Sequence, residues 1–396
     1  MTGPMVPALP TGYQYDFINA EVLKDARVVN GRIVLPSGAD YAILVLPPQK
    51  TMRPEMLEIL SRLAGQGASL LGYAPETSPS NRDYPGCDDR ISQLAAEMWN
   101  GMDGVSVTER RYGKGCIFCG IGIQEALSRL GVGPDLIIPA IPQEILFTHR
   151  VGDGFEFYFL SNQSENAVSG TFGFDVADRQ PELWNAETGE IRDLPLFEQR
   201  AGRTYVPLEF GPADSWFIVF RKRVVVSNSG SDTNFPAFRK LQEINCNWNV
   251  TFHPVYDAAR EMTFGELTDW TQNDDPYIRH FSGTATYKTN FEYRAGTEKN
   301  VWLDLGTVHA LADVTLNGQP FRTLWRPPYR VNISEVLKEG YNTIEVVVTN
   351  CWLNRLIGDL QFGARKYTWA PYVDWNAETP LLPSGLIGPV TLLTGE

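Results

Sequence analysis

The chain has 396 residues, 43% hydrophobic and 20% charged, which at roughly 150 residues per domain predicts two or three domains and more than one buried core. No apolar run approaches the roughly 18 residues that carry a helix across a bilayer, so a helical membrane span is excluded. Lys plus Arg number 34 against 47 Asp plus Glu, and the net charge of −13 would repel a phosphate backbone, so nucleic acid is not an expected partner. Twenty Phe, sixteen Tyr and ten Trp suit sheet cores and flat stacking surfaces alike.

In chain order, the opening MTGPMVPALPTGYQYDFI lacks a basic region followed by an apolar stretch, so no secretory signal is expected in it. From about residue 40 to 135, strands alternate with helices. The run Ala42 to Leu46 reads as a strand, and Pro54 opens a helix with Met56, Ile59, Leu60 and Leu63 on one face, stopped by Gly65 and Gly67. Ala68 to Tyr73 reads as a buried strand and Pro75 to Asp88 as a polar loop; Asp89 is placed to cap a helix carrying Ile91, Leu94, Ala95 and Met98. Cys116 to Cys119 and a short helix with Ile123, Ala126, Leu127 and Leu130 complete a small α/β layer with a mostly parallel sheet, amidotransferase-like or flavodoxin-like, assigned to residues 1–142.

Beyond Pro142 the period becomes two. Phe155, Phe157 and Phe159 alternate with Glu156 and Tyr158, and Val206, Leu208 and Phe210 with Tyr205 and Glu209; Trp216, Ile218 and Phe220 follow, an antiparallel β-sandwich over 143–226. The polar, aperiodic SNSGSDTN at 227–234 marks a linker, assigned to 227–245. The remainder, 246–396, reads as strands at Ala285–Tyr293, Val301–Leu305, Ala312–Leu316 and Thr343–Thr349, with a type I′ hairpin signal at Asn317-Gly318. A jelly-roll sandwich is expected there, so the fold class is multi-domain, α/β plus all-β.

Several chemistries find no sequence support. A (β/α)8 barrel needs about 250 residues and eight alternating units, whereas only the opening third alternates. The glycines of Gly113 to Gly122 match neither the dinucleotide nor the P-loop spacing. Cys116 and Cys119 form a lone C-x-x-C whose thiols face opposite sides of a strand, and no second pair exists for zinc. A nucleophile elbow at Cys119 would need Gly at position 117, which is Ile. The histidines at 149, 253, 280 and 309 fall in no triad or zinc motif, and the five cysteines at 87, 116, 119, 246 and 351 do not space like a disulfide scaffold. Carboxylates are plentiful, but a pair placed across a cleft cannot be read from sequence.

One stretch concentrates rings with planar polar groups: Trp325, Arg326, Tyr329, Arg330, Trp352, Asn354, Arg355, Asp359, Arg365, Tyr367, Trp369, Tyr372 and Trp375. Sugars are held by flat aromatic rings against their C–H faces and by Arg, Asn and Asp forked onto hydroxyl pairs. We therefore take Trp325, Arg330, Trp352, Asn354, Arg355, Asp359, Tyr367, Trp369, Tyr372 and Trp375 as candidate carbohydrate-binding residues, and no residue as catalytic or metal-binding. The alternative is that Trp325 and Trp352 are core residues while Arg355 and Asp359 form an internal ion pair locking a long loop.

FSGTATY at Phe281–Tyr287, WLDLG at Trp302–Gly306, VTLNG at Val314–Gly318 and LWRPPYR at Leu324–Arg330 resemble the sugar-binding, galactose-binding-like jelly roll of family 2 glycoside hydrolases. VTNCWLNRLIGD at Val348–Asp359 and LPSGLIGPV at Leu382–Val390 resemble the carboxy-terminal region of glycoside hydrolase family 106, the α-L-rhamnosidases. Tyr112 to Gly115, Pro134-Asp135, His149-Arg150, YFLSNQ at Tyr158–Gln163 and PELWNAETGE at Pro181–Glu190 are similar to that family's middle portion. In that family the catalytic carboxylates and a calcium ion belong to an amino-terminal barrel, which is not expected in this chain, so no catalytic residue transfers to it.

The resemblance implies an accessory, carbohydrate-binding portion of an α-L-rhamnosidase-like hydrolase, supporting hydrolysis of plant or pectic glycans. Its implied partners are a rhamnose-containing glycan or a barrel-bearing domain or subunit. The alternatives are a structural module that docks on such a subunit, or a glycosidase in its own right. No cofactor is expected, with a structural calcium left open, and the family's habit implies a periplasmic or extracellular location. Gly12-Tyr13 with Tyr15-Asp16 resembles the family's passage out of its barrel, which implies a piece of a longer chain, a split gene or a stand-alone relative.

Overall fold

The computed structural model describes residues 9–140, 145–224, 233–255 and 257–395. The expected boundary at 142/143 and positions 227–232 of the expected linker lie outside them. By internal contacts the chain forms two units: one comprises Met1–Ser161, Ser169–Leu208 and Ser215–Gly230, the other Asn162–Val168, Glu209–Asp214 and Ser231–Glu396.

The first unit contains an α/β layer and a sandwich. The layer's sheet runs in the order Leu44–Val45, Ser69–Leu71, Gly115–Phe118, Glu109–Tyr112, with the first two pairings parallel and the last antiparallel. Helix Pro54–Gln66 begins at its proline and ends at Gly67, whose φ of 127° suits glycine alone. It buries Leu57, Leu60, Leu63 and Ala64. Asp89 is not a cap: helix Gly86–Met98 starts earlier, Pro85 takes the N-cap position, and Asp88 and Asp89 stand in the first turn, where the helix dipole favours acids. Cys116 and Cys119 join different apolar clusters. Burial, then Glu109, pushes the Cys116 thiol up to about 11, and burial followed by Asp103 raises that of Cys119, so neither is readied as a nucleophile.

The sandwich pairs a five-stranded sheet, ordered Ile191–Asp193, Arg179–Trp184, Ser215–Arg223, Glu156–Asn162, Ile145–Val151, with a four-stranded one, Glu198–Arg200, Arg203–Phe210, Val168–Phe174, Leu136–Ile137. The face of Glu156–Asn162 that turns inward is that of Tyr158 and Leu160, both fully buried. Tyr158 and Phe220 of the first sheet meet Phe174 of the second at centroid distances of 4.9 and 5.3 Å. Phe157 and Phe159 lie on the other face against Phe217.

The second unit is the expected jelly roll. A six-stranded antiparallel sheet, Arg260–Phe264, Trp248–His253, Thr284–Tyr293, Gly340–Thr349, Leu311–Leu316, Gln319–Pro320, faces a common core with a four-stranded one, Phe238–Glu243, Thr391–Gly395, Val301–Asp304, Arg330–Asn332. Phe238–Glu243, within the segment read as linker, is thus a strand of this unit. The period of two is plain in Thr284–Tyr293, where Ala285, Tyr287, Thr289, Phe291 and Tyr293 are buried. Asn317 and Gly318 have φ of 52° and 83°, the type I′ signature, and join Leu311–Leu316 to Gln319–Pro320. Trp270 is fully buried and donates its indole N–H to Tyr287 Oη at 2.5 Å, which also accepts the Leu386 N–H. A Cβ on Gly385 would strike that indole.

In the first unit, His149 stacks on Tyr158 at 4.1 Å, with Nδ1 3.6 Å from Asp135 and Nε2 3.4 Å from Glu156. Burial by itself would lower its pKa, but hydrogen bonding and charge from Asp135 and Glu156 outweigh this and raise it from 6.5 to about 9. The protonated ring is therefore favoured by folding: its contribution is complete below pH 6.5 and is lost as pH rises through about 9. The full shift corresponds to roughly 3 kcal/mol; partial exposure of Asp135 reduces this to about 1–2 kcal/mol. Melting temperature should fall across that window in the native protein and stay flatter in His149→Gln; identical profiles would refute the ion-pair origin.

Candidate functional site

The second unit carries a small open depression lined by Pro254, Val255, Asp257, Tyr277, Phe281, Ser282, Trp352, Arg355 and Tyr367. Polar side chains join the three segments, distant in sequence, that meet at this end of the sandwich. Asn350 donates its amide to Phe281 O and Ser384 Oγ and accepts the Gly283 N–H. Asn354, 1% exposed, donates to Leu382 O and Ser384 Oγ and accepts the Leu382 N–H at 2.8 Å. Ser282 Oγ donates to Cys351 O and accepts the Arg355 N–H. These bonds seat the short helix Leu353–Gly358 on the sandwich with Trp352 at its amino end, half exposed to solvent.

The loop beyond the helix is held by Asp359, 4% exposed. One oxygen accepts Arg355 Nε at 2.8 Å, and the other accepts the backbone N–H groups of Tyr367 and Thr368 and the Thr368 hydroxyl at 2.7 to 2.8 Å. Burial opposes its charge, but these donors and then the Arg355 charge outweigh it and hold the carboxyl below its ordinary range. Two guanidinium groups lie near the Tyr367 ring, Arg365 at 5.0 Å and Arg355 at 5.5 Å from its centre. Arg260 lies 3.6 Å over the Tyr277 ring and pairs with Asp275 at 3.5 Å. Gly358 is required, since a Cβ there would meet Arg355 and His280.

Of the residues read from sequence, Trp352, Arg355 and Tyr367 line the depression. Asn354 and Asp359 do not line it; both are buried with their polar atoms engaged in holding the loop. Trp369 and Tyr372 are strongly exposed on the following loop and Trp375 is half-buried. Trp325 and Trp352, at 56% and 48% exposure, are not core residues. Arg330 does not line the depression: it forks onto Asp304 at 2.6 and 3.1 Å and covers the Phe238 ring. Tyr329 is buried and donates to Ala310 O, and Arg326 pairs with Asp214 at 2.8 Å. Asp257, Tyr277 and Ser282 were not singled out from sequence. Phe281-Ser282-Gly283 did stand in a quoted motif, but nothing local distinguishes Tyr277. Among the described residues, no group of three His, Cys, Asp or Glu side chains could hold a metal ion.

Comparison with known proteins follows the same division. Residues 1–199 match the family model described as alpha-L-rhamnosidase, glycoside hydrolase family 106. Residues 247–378 match the glycosyl hydrolase 2 galactose-binding domain-like model. The chain is a glycoside-hydrolase relative, and it belongs to the α-L-rhamnosidase family 106. The solved rhamnosidase from Novosphingobium sp. PP1Y is 36% identical, with a TM-score of 0.84 over 99% of this chain and 37% of its own. A Formosa agariphila protein named "Putative beta-glucuronidase" is 22% identical over 96% of this chain and 53% of its own. The chain thus spans about half the length of the latter and little over a third of the former.

Asp359→Ala would leave buried donors without an acceptor and should cost about 3 kcal/mol. Hydrogen exchange at the Tyr367 and Thr368 amides should accelerate while the Thr284–Tyr293 strand remains protected. Unchanged exchange at those two amides would show that the carboxylate does not anchor the loop.

Proposed function

We propose that this chain acts as a non-catalytic, carbohydrate-binding portion of an α-L-rhamnosidase-type hydrolase, supporting cleavage of rhamnose-containing plant or pectic glycans. The observation that carries this is the depression itself: the rings of Trp352, Tyr367 and Tyr277 surround a space with a few convergent polar groups, the combination that fits a sugar ring. Membership in the family and the galactose-binding-like match over 247–378 support a carbohydrate as the ligand. Trp369 and Tyr372, exposed beyond the depression, offer stacking surfaces for further sugar units.

The carboxylates at this place argue against hydrolysis by it. Retaining and inverting glycosidases need two carboxyl groups free to exchange a proton or attack the sugar. Here Asp359 is buried and saturated by donors, which leaves Asp257 as the acid lining the space. A second reading, docking on a barrel-bearing polypeptide, draws on the exposed Phe362, Trp369, Tyr372 and Val373. Co-purification of a defined complex with such a polypeptide would favour it.

Calorimetric titration with rhamnose-containing oligosaccharides should give saturable binding. Trp352→Ala and Tyr367→Ala should each weaken it roughly 3- to 10-fold, the worth of one stacked ring, without changing the melting temperature appreciably. The pure protein should release no chromophore from an aryl rhamnoside. Absence of any response at millimolar saccharide would overturn the binding reading, and turnover abolished by a single carboxylate substitution would overturn the non-catalytic one.

A further inference from the structure

The polar groups around the depression are unevenly divided between donors and acceptors. Ser282 is already committed, donating to Cys351 O and accepting from Arg355 N. Arg355 gives its Nε to Asp359, while its two terminal nitrogens have no protein acceptor among the described residues. The Tyr277 hydroxyl is buried and likewise without a partner among the described residues. Burial raises the pKa of this phenol, so it remains a donor. Arg365, 5.0 Å from the centre of the Tyr367 ring, is exposed and pairs with no carboxylate among the described residues. Against these donors, the acid lining the space is Asp257, one of whose oxygens accepts the Ala258 N–H.

A neutral sugar presents hydroxyls, each of which brings an O–H donor that itself needs an acceptor, and Asp257 is the described acid lining the space. A carboxylate is acceptor-only and takes the planar fork of a guanidinium through both oxygens. The chain as a whole carries a net charge of −13, so its distant field does not draw anions in; selectivity has to come from these local groups. Resting on the carbohydrate-binding reading above, we propose that the saccharide held by the Trp352–Tyr367 depression bears a carboxylate, a uronate unit, met by the terminal nitrogens of Arg355 and the Tyr277 hydroxyl. Arg365 adds its charge from beside Tyr367. Trp352 and Tyr367 supply the stacking, and Asp257 is left to accept from a sugar hydroxyl.

The test compares a uronate-containing rhamno-oligosaccharide, its methyl ester, and a neutral rhamno-oligosaccharide by calorimetry on the full chain, with Trp352 fluorescence as a second readout. The acid should bind about tenfold more tightly than its ester, the scale of one charge-assisted contact, and the gain should shrink as salt is raised. Because Arg355 also holds Asp359, the informative variants are Arg365→Ala and Tyr277→Phe, neither of which removes a bond from the scaffold. Each should narrow the gap between acid and ester while sparing affinity for the ester.

Equal affinity for acid and ester would overturn the uronate assignment and leave sugar binding standing, whereas silence toward all three saccharides would remove both. A preference for acid that survives both variants would place the carboxylate elsewhere and refute the assignment. Binding of oligoglutamate as tight as that of the uronate would also refute it, because the site would then recognise acidic chains in general.

Discussion

A small set of uncharged side chains, Asn350, Asn354, Ser282 and Ser384, is what the end of the jelly roll that carries the depression depends on. They fasten the end of the Gly340–Thr349 strand, the Phe281-Ser282-Gly283 corner and the Leu382-to-Gly385 return to one another. Buried amides of this kind are favourable only when fully bonded, and Asn354 has both its oxygen and its nitrogen engaged. Ser282 accepts the backbone N–H of Arg355, Arg355 pairs with Asp359, and Asp359 in turn holds the backbone of Tyr367. Each link presupposes the one before.

Charge within this region is arranged by the same logic. Asp359 takes up one guanidinium nitrogen and three loop donors, so its negative charge is spent internally. Arg260 lies over the Tyr277 ring while paired with Asp275, and Arg365 lies over the Tyr367 ring.

Much of the architecture was legible in the sequence because it follows from short-range rules. The shift from strand–helix alternation to a period of two, the proline that opens Pro54–Gln66 and the Asn317-Gly318 turn each act over a few residues. Register of burial was less legible: in Glu156–Asn162 the alternation alone does not say which face turns inward, and Tyr158 and Leu160 do so because Phe174 of the opposing sheet meets them. Only three of the nine residues lining the hollow were legible, for a similar reason. Trp352, Arg355 and Tyr367 lie close together in the chain, whereas Asp257 and Tyr277 reach them only through the fold. Trp325 and Arg330 share the composition of binding residues, but their neighbours in space, not their identity, decide that they stand elsewhere.

The loop after Asp359 is suspended from one carboxylate at its start and one asparagine–serine clasp at its finish, with little of the sandwich core invested in it. Residues between those two hangers can therefore diverge in length and chemistry while the β-framework is conserved. The region has the properties of a cassette, in which relatives could alter what they grip without relearning how to fold.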